Sequence, residues 1–96
     1  MISVSTHVLD TGRGAPAAGV RVELVGPTNR ASSEATTDDD GRARLAEGLA
    51  AGDYRLVFHP PSPFFRRVEL TIRLDDGHYH VPLLVSPYGC ASYRGS

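Results

Sequence analysis

The sequence predicts an all-β fold, a two-sheet antiparallel sandwich of seven to eight short strands. Three observations lead there. Apolar and polar residues alternate with a period of two through most of the apolar stretches. Turn signals rich in Gly, Pro and Asp recur about every 8–12 residues. No segment repeats with the period of a helix. The 96 residues read as a single domain, 1–96. A chain of this size buries roughly 60–65% of its unfolded surface, so its core is modest and assembly into an oligomer would help stabilise it.

The strands follow in order. From Ile2 to Leu9, Ile2, Val4, Thr6 and Val8 fall on one face, with Ser3, Ser5, His7 and Leu9 on the other. Asp10 to Pro16 is a Gly- and Pro-bearing loop. Val20 to Leu24 alternates again, and Gly26-Pro27-Thr28-Asn29 closes it. Ser33 to Thr37 is a weaker, polar strand. Asp38-Asp39-Asp40-Gly41 has the Asp-Gly of a tight hairpin and leads into a strand from Gly41 to Leu45. There Ala43 and Leu45 share one face, and Arg42 and Arg44 the other. Ala46 to Gly52 is small and Gly-punctuated, with room for one helical turn but not a stable helix. Tyr54 to Phe58 is a strand, broken by Pro60-Pro61-Ser62-Pro63. Arg67 to Leu74 alternates most cleanly, with Val68, Leu70, Ile72 and Leu74 inward. Asp76-Gly77 reads as a hairpin turn, so His78 to Val85 should return antiparallel beside it. Pro82 cannot donate to a ladder and belongs at an edge or interface. A last short strand fits Cys90 to Tyr93.

Composition excludes several functions. A net charge of -1 argues against nucleic acid as the main partner. A single cysteine, Cys90, makes no internal disulfide, which points to a reducing compartment and a cytoplasmic location. The start, Met1-Ile2-Ser3-Val4-Ser5, has no basic, apolar leader, and no run approaches the about 20 apolar residues of a membrane span.

Four histidines and a compact terminus carry the candidate chemistry. His78 and His80 share a face of their strand, and His7 lies on another strand. Three histidines can hold zinc, but no carboxylate or thiolate completes the set, so metal is the weaker reading. Imidazoles titrating near neutrality as proton acceptors and donors fit better. His78 by itself reads as the surface end of a hairpin, and His59, beside Pro60, as a loop residue. Arg42 or Arg44 can clamp an anion or carbonyl, although two solvated charges is the commoner case. The Asp38–Gly41 run lacks the ligand spacing of a calcium loop and reads as a turn. Cys90 is a nucleophile candidate but reads more readily as a buried small hydrophobe. The end, Tyr93-Arg94-Gly95-Ser96, can act as a functional group, its carboxylate beside Arg94 or another cation.

These stretches together resemble the transthyretin-like family, and within it the 5-hydroxyisourate hydrolase branch. The matching residues are His7-Val8-Leu9-Asp10 with Gly14-Ala15-Pro16-Ala17, Thr37 to Arg42, Gly52-Asp53-Tyr54-Arg55, His78 to Leu84, Ser86 to Gly89, and the terminal Tyr93-Arg94-Gly95-Ser96. The resemblance spans nearly the whole chain, and the terminal tetrapeptide is what separates the hydrolases from the hormone carriers. It implies a transthyretin-like sandwich in which the usual family helix is missing, because Pro60 to Pro63 fill a shortened segment between Phe58 and Val68. Cys90 and Ala91 stand where the family has an aromatic and a hydroxyl residue.

The resemblance implies hydrolytic ring opening of 5-hydroxyisourate in urate breakdown, with no metal or organic cofactor. It implies His7, Arg42, His80 and Ser96 as catalytic residues, with Tyr93, Arg94 and Gly95 joining His7 and Arg42 in substrate binding. It also implies a homotetramer with sites in a channel at the dimer–dimer interface. The rivals are a transthyretin-like small-ligand binding protein, a structural module similar to the carboxypeptidase-regulatory-like sandwiches, and a diverged hydrolase with another substrate.

Overall fold

A computed structural model describes residues 1–28 and 31–96. Among them the chain forms nine strands and no helix. They are β1 (Ile2–Asp10), β2 (Ala15–Pro16), β3 (Arg21–Val25), β4 (Ala31–Thr36), β5 (Arg42–Leu49), β6 (Gly52–His59), β7 (Val68–Leu74), β8 (His78–Val85) and β9 (Cys90–Ser92). The predicted sandwich is the observed one, with β2 and β9 as its shortest pieces. Of the turn expected at Gly26 to Asn29, Asn29 lies outside the described residues.

One sheet runs β4-β3-β6-β7 and is antiparallel throughout. The other centres on β1, with β8 and then β9 on one side. The other edge of β1 is shared by β5 along Ile2–His7 and β2 at Leu9 and Asp10. The β1–β8 pairing is parallel, in register from Ser3 opposite His78 to Asp10 opposite Val85. That parallel ladder departs from the all-antiparallel expectation.

Two expected hairpins are corners instead. Strand β8 does not return beside β7, because β7 pairs with β6 while β8 pairs with β1 in the facing sheet. Strands β4 and β5 likewise belong to different sheets. Asp-Gly supplies the tight reversal in both places, but a reversal leaves open which sheet the next strand joins. Long-range pairing with β1 decides it. The Ser3 N–H donates to the Gly77 carbonyl at 3.2 Å, and the Val8 N–H to the Gly41 carbonyl at 2.7 Å. The Ala46 stretch has no helical turn: β5 continues to Leu49, held by β1 through two register shifts.

Alternation places the core. Ile2, Val4, Thr6 and Val8 of β1 point inward with Val81, Leu83 and Val85 of β8. They meet Val22 and Leu24 of β3, Leu56 and Phe58 of β6 and Leu74 of β7. Buried Thr6 satisfies its hydroxyl by donating to the Val81 carbonyl at 2.6 Å.

Thr37 pins the corner before β5. Its buried hydroxyl donates to the Ala17 carbonyl at 2.7 Å and accepts the Val20 N–H at 2.9 Å. Thr37→Val keeps the shape and orphans both backbone groups, a cost of about 2 kcal/mol or more. For a domain of this size that lowers Tm by roughly 10 °C in a thermal melt.

The segment between β6 and β7 has no helix, as expected, and runs through a series of bends. Ser62 organises it: its hydroxyl donates to the Pro87 carbonyl at 2.9 Å and accepts the N–H groups of Phe64 and Phe65. Phe64 then packs edge-on to Phe65 and tilted against Tyr88.

Candidate active site

The two outer faces differ in charge chemistry. On the β3–β6–β7 side the charges are matched. Arg21 forks onto Glu34 at 2.9 and 3.3 Å, Arg55 meets Glu69 at 2.7 Å, and His59 meets Glu23 at 2.7 Å. Holding His59 and Arg21 lowers the Glu23 pKa from its ordinary value, the His59 hydrogen bond most of all. His59 is thus a partner in a surface pair rather than a plain loop residue.

The outer face of β5–β1–β8 is different. Its side chains form three rows across the sheet. Arg42, His7 and Pro82 make one row, Arg44, Ser5 and His80 the next, and Glu47, Ser3 and His78 the third. Among the described residues neither Arg42 nor Arg44 has an ion-pair partner. A cavity of about 1070 Å³, open to solvent, lies along these rows, lined by Arg42, Arg44, His78, His80 and Ser96 among others.

Turn chemistry positions His7 and Arg42. The Asp38 carboxylate accepts the N–H groups of Asp40 and Arg42, each at 2.9 Å, and the Asp38 N–H donates to the Arg42 carbonyl at 2.9 Å. This folds the Asp38–Gly41 run tightly and brings the Asp40 carbonyl to His7, whose Nε2 lies 2.8 Å away. A carbonyl can only accept, so Nε2 carries the proton. Neutral His7 therefore presents a bare Nδ1.

His80 is held from two sides. Its Nδ1 is 2.8 Å from the Ser5 hydroxyl. Its backbone carbonyl accepts the Gly95 N–H at 2.6 Å. Gly95 has to be small: a Cβ there would lie 2.8 Å from the His80 ring carbon Cδ2. Among the described residues, Nε2 of His80 has no hydrogen-bond partner in the protein. Burial, then the neighbouring His7, His78 and Arg42, holds the His80 pKa below its ordinary 6.5. The lowered value favours the neutral ring, the form a base requires.

The terminus continues the β8–β9 ladder in the same register, from Leu83 opposite Ser92 to His80 opposite Gly95. Pro82 interrupts the ladder, having no N–H, and its carbonyl is taken by the Ser92 hydroxyl at 2.7 Å. The tail residues then divide. Gly95 and Ser96 reach His80 and the cavity. Arg94 turns the other way, its guanidinium 4.1 Å over the Tyr79 ring. With Tyr93 it lines a second hollow against Leu70 and Ile72. The cations that share the cavity with Ser96 are therefore Arg42 and Arg44, not Arg94. Cys90 is exposed. Among the described residues no group of His, Cys, Asp and Glu has the arrangement of a metal site.

The sequence singled out His7, Arg42, His80 and Ser96, and the structure puts all four on one side of one sheet. Ser3, Ser5, Asp38 and the Asp40 carbonyl were missed as supports. Strand parity was the available signal, because Ser3 and Ser5 share the His7 face of β1.

The model of the family described as HIUase/Transthyretin matches residues 4–95. The chain belongs to this family. It is 44% identical to a 5-hydroxyisourate hydrolase of Deinococcus radiodurans, covering 97% of this chain and 95% of that protein. It is 42% identical to one from Caulobacter vibrioides, covering all of both chains. That alignment runs over 115 positions against 96 residues here, so the relative carries residues that this chain lacks. A 5-hydroxyisourate hydrolase structure from Klebsiella pneumoniae superposes with a TM-score of 0.90 at 32% identity, covering all of both chains. Membership in the HIUase/Transthyretin family thus extends over the whole sandwich, with the helix-free β6–β7 segment included.

Proposed function

We propose that the chain opens the ring of 5-hydroxyisourate by hydrolysis, a step of urate and purine breakdown. The observation that carries this reading is His80, held at Nδ1 by Ser5 with Nε2 uncommitted, set on one outer sheet face with Arg42, His7 and Ser96, in a chain whose full-length relatives are 5-hydroxyisourate hydrolases. The reaction needs water to attack a ring amide carbonyl. His80, through the uncommitted Nε2, takes the proton from that water as its oxygen bonds to the carbonyl carbon. Arg42 faces the oxygen on which negative charge grows. The C–N bond then breaks, and the proton held on His80 goes to the departing nitrogen. His7, opposite Arg42 across β1–β5, offers Nδ1 to a donor on the substrate, and Ser96 lines the cavity with Arg42 and Arg44. Tyr93, Arg94 and Gly95 support substrate binding through the shape of the tail. No metal or organic cofactor takes part.

The cavity is open to solvent. A second copy of the chain across this face would close it. The assembly proposed, on the family resemblance, is a homotetramer with sites at its dimer–dimer interface. The exposed, unpaired Cys90 suits a reducing compartment, so the proposed location is the cytoplasm. Among the described residues no helix is long and apolar enough to cross a membrane.

A coupled ultraviolet assay tests the reading: urate and uricase generate 5-hydroxyisourate, and its decay is followed with and without the protein. Acceleration supports the hydrolase, and no acceleration by folded protein sinks it. The pH profile adds a check. Because the His80 pKa is lowered, the base is intact at neutrality. Activity should fall on the acid side only at a pH below about 6.5, the ordinary histidine value. An acid limb centred above that value would remove His80 as the base.

A further inference from the structure

We propose that Ser5 and His78 form a proton wire that sets the tautomer of His80 and carries its proton to the surface. The inference rests on the hydrolase reading and adds a positioning residue and an exit path to it. Three short hydrogen bonds are the observation. Ser5 Oγ lies 2.8 Å from His80 Nδ1 and 2.9 Å from His78 Nε2, and Ser3 Oγ lies 2.6 Å from His78 Nδ1. The chain His80–Ser5–His78–Ser3 runs without a break from the half-buried ring to an exposed one.

Proton counting makes these bonds interdependent. A serine hydroxyl has one proton and two lone pairs, and among the described residues the two rings are the only protein partners of the Ser5 hydroxyl. With its proton used in the chain, Ser5 donates to one ring and accepts from the other. If it donates to His80 Nδ1, then neutral His80 carries its proton on Nε2 and cannot act as a base there. His78 in that case donates from Nε2 and accepts the Ser3 proton on Nδ1. If Ser5 donates to His78 Nε2 instead, His80 donates from Nδ1 and its Nε2 is bare. His78 then carries its proton on Nδ1 and donates it to Ser3. The two arrangements differ by a concerted shift of every proton in the chain. Only the second arms His80.

The same wire clears a proton. When Nε2 of armed His80 takes a proton from water, Nδ1–H passes to Ser5 Oγ and the Ser5 proton passes to His78 Nε2. The His78 Nδ1 proton passes to Ser3 and on to solvent. One proton has then entered at His80 and one has left at Ser3, so His80 holds a proton on Nε2 alone. When the C–N bond breaks, that Nε2 proton goes to the departing nitrogen, the same shift runs in reverse with a proton entering at Ser3, and His80 is armed again. Backbone register makes this possible. β1 and β8 are parallel, with Ser3 opposite His78 and Ser5 opposite His80, so hydroxyls and imidazoles alternate along one edge. An antiparallel hairpin partner for β8 would have separated them.

The test uses Ser5→Ala, Ser5→Thr and His78→Ala in the 5-hydroxyisourate decay assay at low buffer concentration. Ser5→Ala is expected to lower kcat by roughly ten- to a hundredfold, part of what a general base contributes, with KM little changed. Ser5→Thr, which keeps the hydroxyl, should retain most of the rate. His78→Ala should lower kcat by about tenfold in weak buffer and recover when imidazole is added as an external proton carrier. A Ser5→Ala or His78→Ala protein with wild-type kcat in weak buffer overturns the wire, as does a His78→Ala loss that imidazole leaves unmoved. Nitrogen-15 spectra of the histidine rings read the wire without turnover. Ser5→Ala should change the tautomer balance of both His80 and His78 and leave His7 unmoved. Unchanged tautomers overturn the wire even if the wild-type protein proves inactive on 5-hydroxyisourate, a result that would fail the hydrolase reading separately.

Discussion

His80→Ala is expected to lower the rate of 5-hydroxyisourate hydrolysis by roughly 10²–10⁴-fold, the usual contribution of a positioned general base. The fold should survive. The His80 side chain lies on the outer face of β8, not in the core, and its backbone groups keep their partners in the alanine variant. The Gly95 N–H still finds the residue-80 carbonyl, and the β1 ladder is untouched. Circular dichroism and a melting curve distinguish lost chemistry from lost structure. Stability adds a signed check. The folded protein holds the His80 pKa below its unfolded value, so the unfolded chain binds the proton more readily. His80 therefore contributes stability at pH above about 6.5, and that contribution is lost as pH falls through the lowered folded value. His80→Ala should flatten this part of the stability profile. A folded variant that keeps wild-type turnover would remove His80 from the mechanism.

Gly41→Ala is expected to damage both fold and site. Gly41 has φ = 76°, in the left-handed region where a side chain is strained. A Cβ there would stand 2.4 Å from the Val8 carbonyl oxygen, on the backbone of β1, which cannot swing aside. Strain and clash together cost about 2–4 kcal/mol, a large share of the stability of a small domain. The only relief is to lift the Asp38–Gly41 turn off β1. That breaks the Val8–Gly41 hydrogen bond and pulls the Asp40 carbonyl from His7, with Arg42 displaced behind it. A urea melt should show the lower midpoint, and the surviving folded fraction should turn over substrate more slowly. Unchanged stability would mean that the corner is not held as tightly as this packing requires.

Much of this was legible in sequence because its signals are local. Period-two alternation placed Ser3, Ser5 and His7 on one face of β1 and Val4 and Val8 on the other, and so they stand. Pro60-Pro61-Ser62-Pro63 announced a helix-free link, which Ser62 then stitches with three hydrogen bonds. His78 shows where local reading ended. As a hairpin end it is exposed, as expected, yet both its ring nitrogens are engaged. Those partners are more than seventy residues away in the chain, so no spacing rule reaches them.

The sequence alone determined the main strands, the inward and outward faces, the turns and the motif residues, because each depends on neighbours in the chain. Strand β2, inside the Asp10–Pro16 stretch read as a loop, and the run of β5 to Leu49 come instead from pairing with β1. Tertiary structure decided which sheet each strand joins. It made β1 and β8 parallel partners and turned two hairpins into corners, because cross-chain hydrogen bonds and core burial select among reversals that are locally equivalent. It also divided the tail, sending Ser96 to the His80 side and Arg94 onto Tyr79. A tetrapeptide shows which groups are available. Only the ladder beside β8 settles the face from which each one acts.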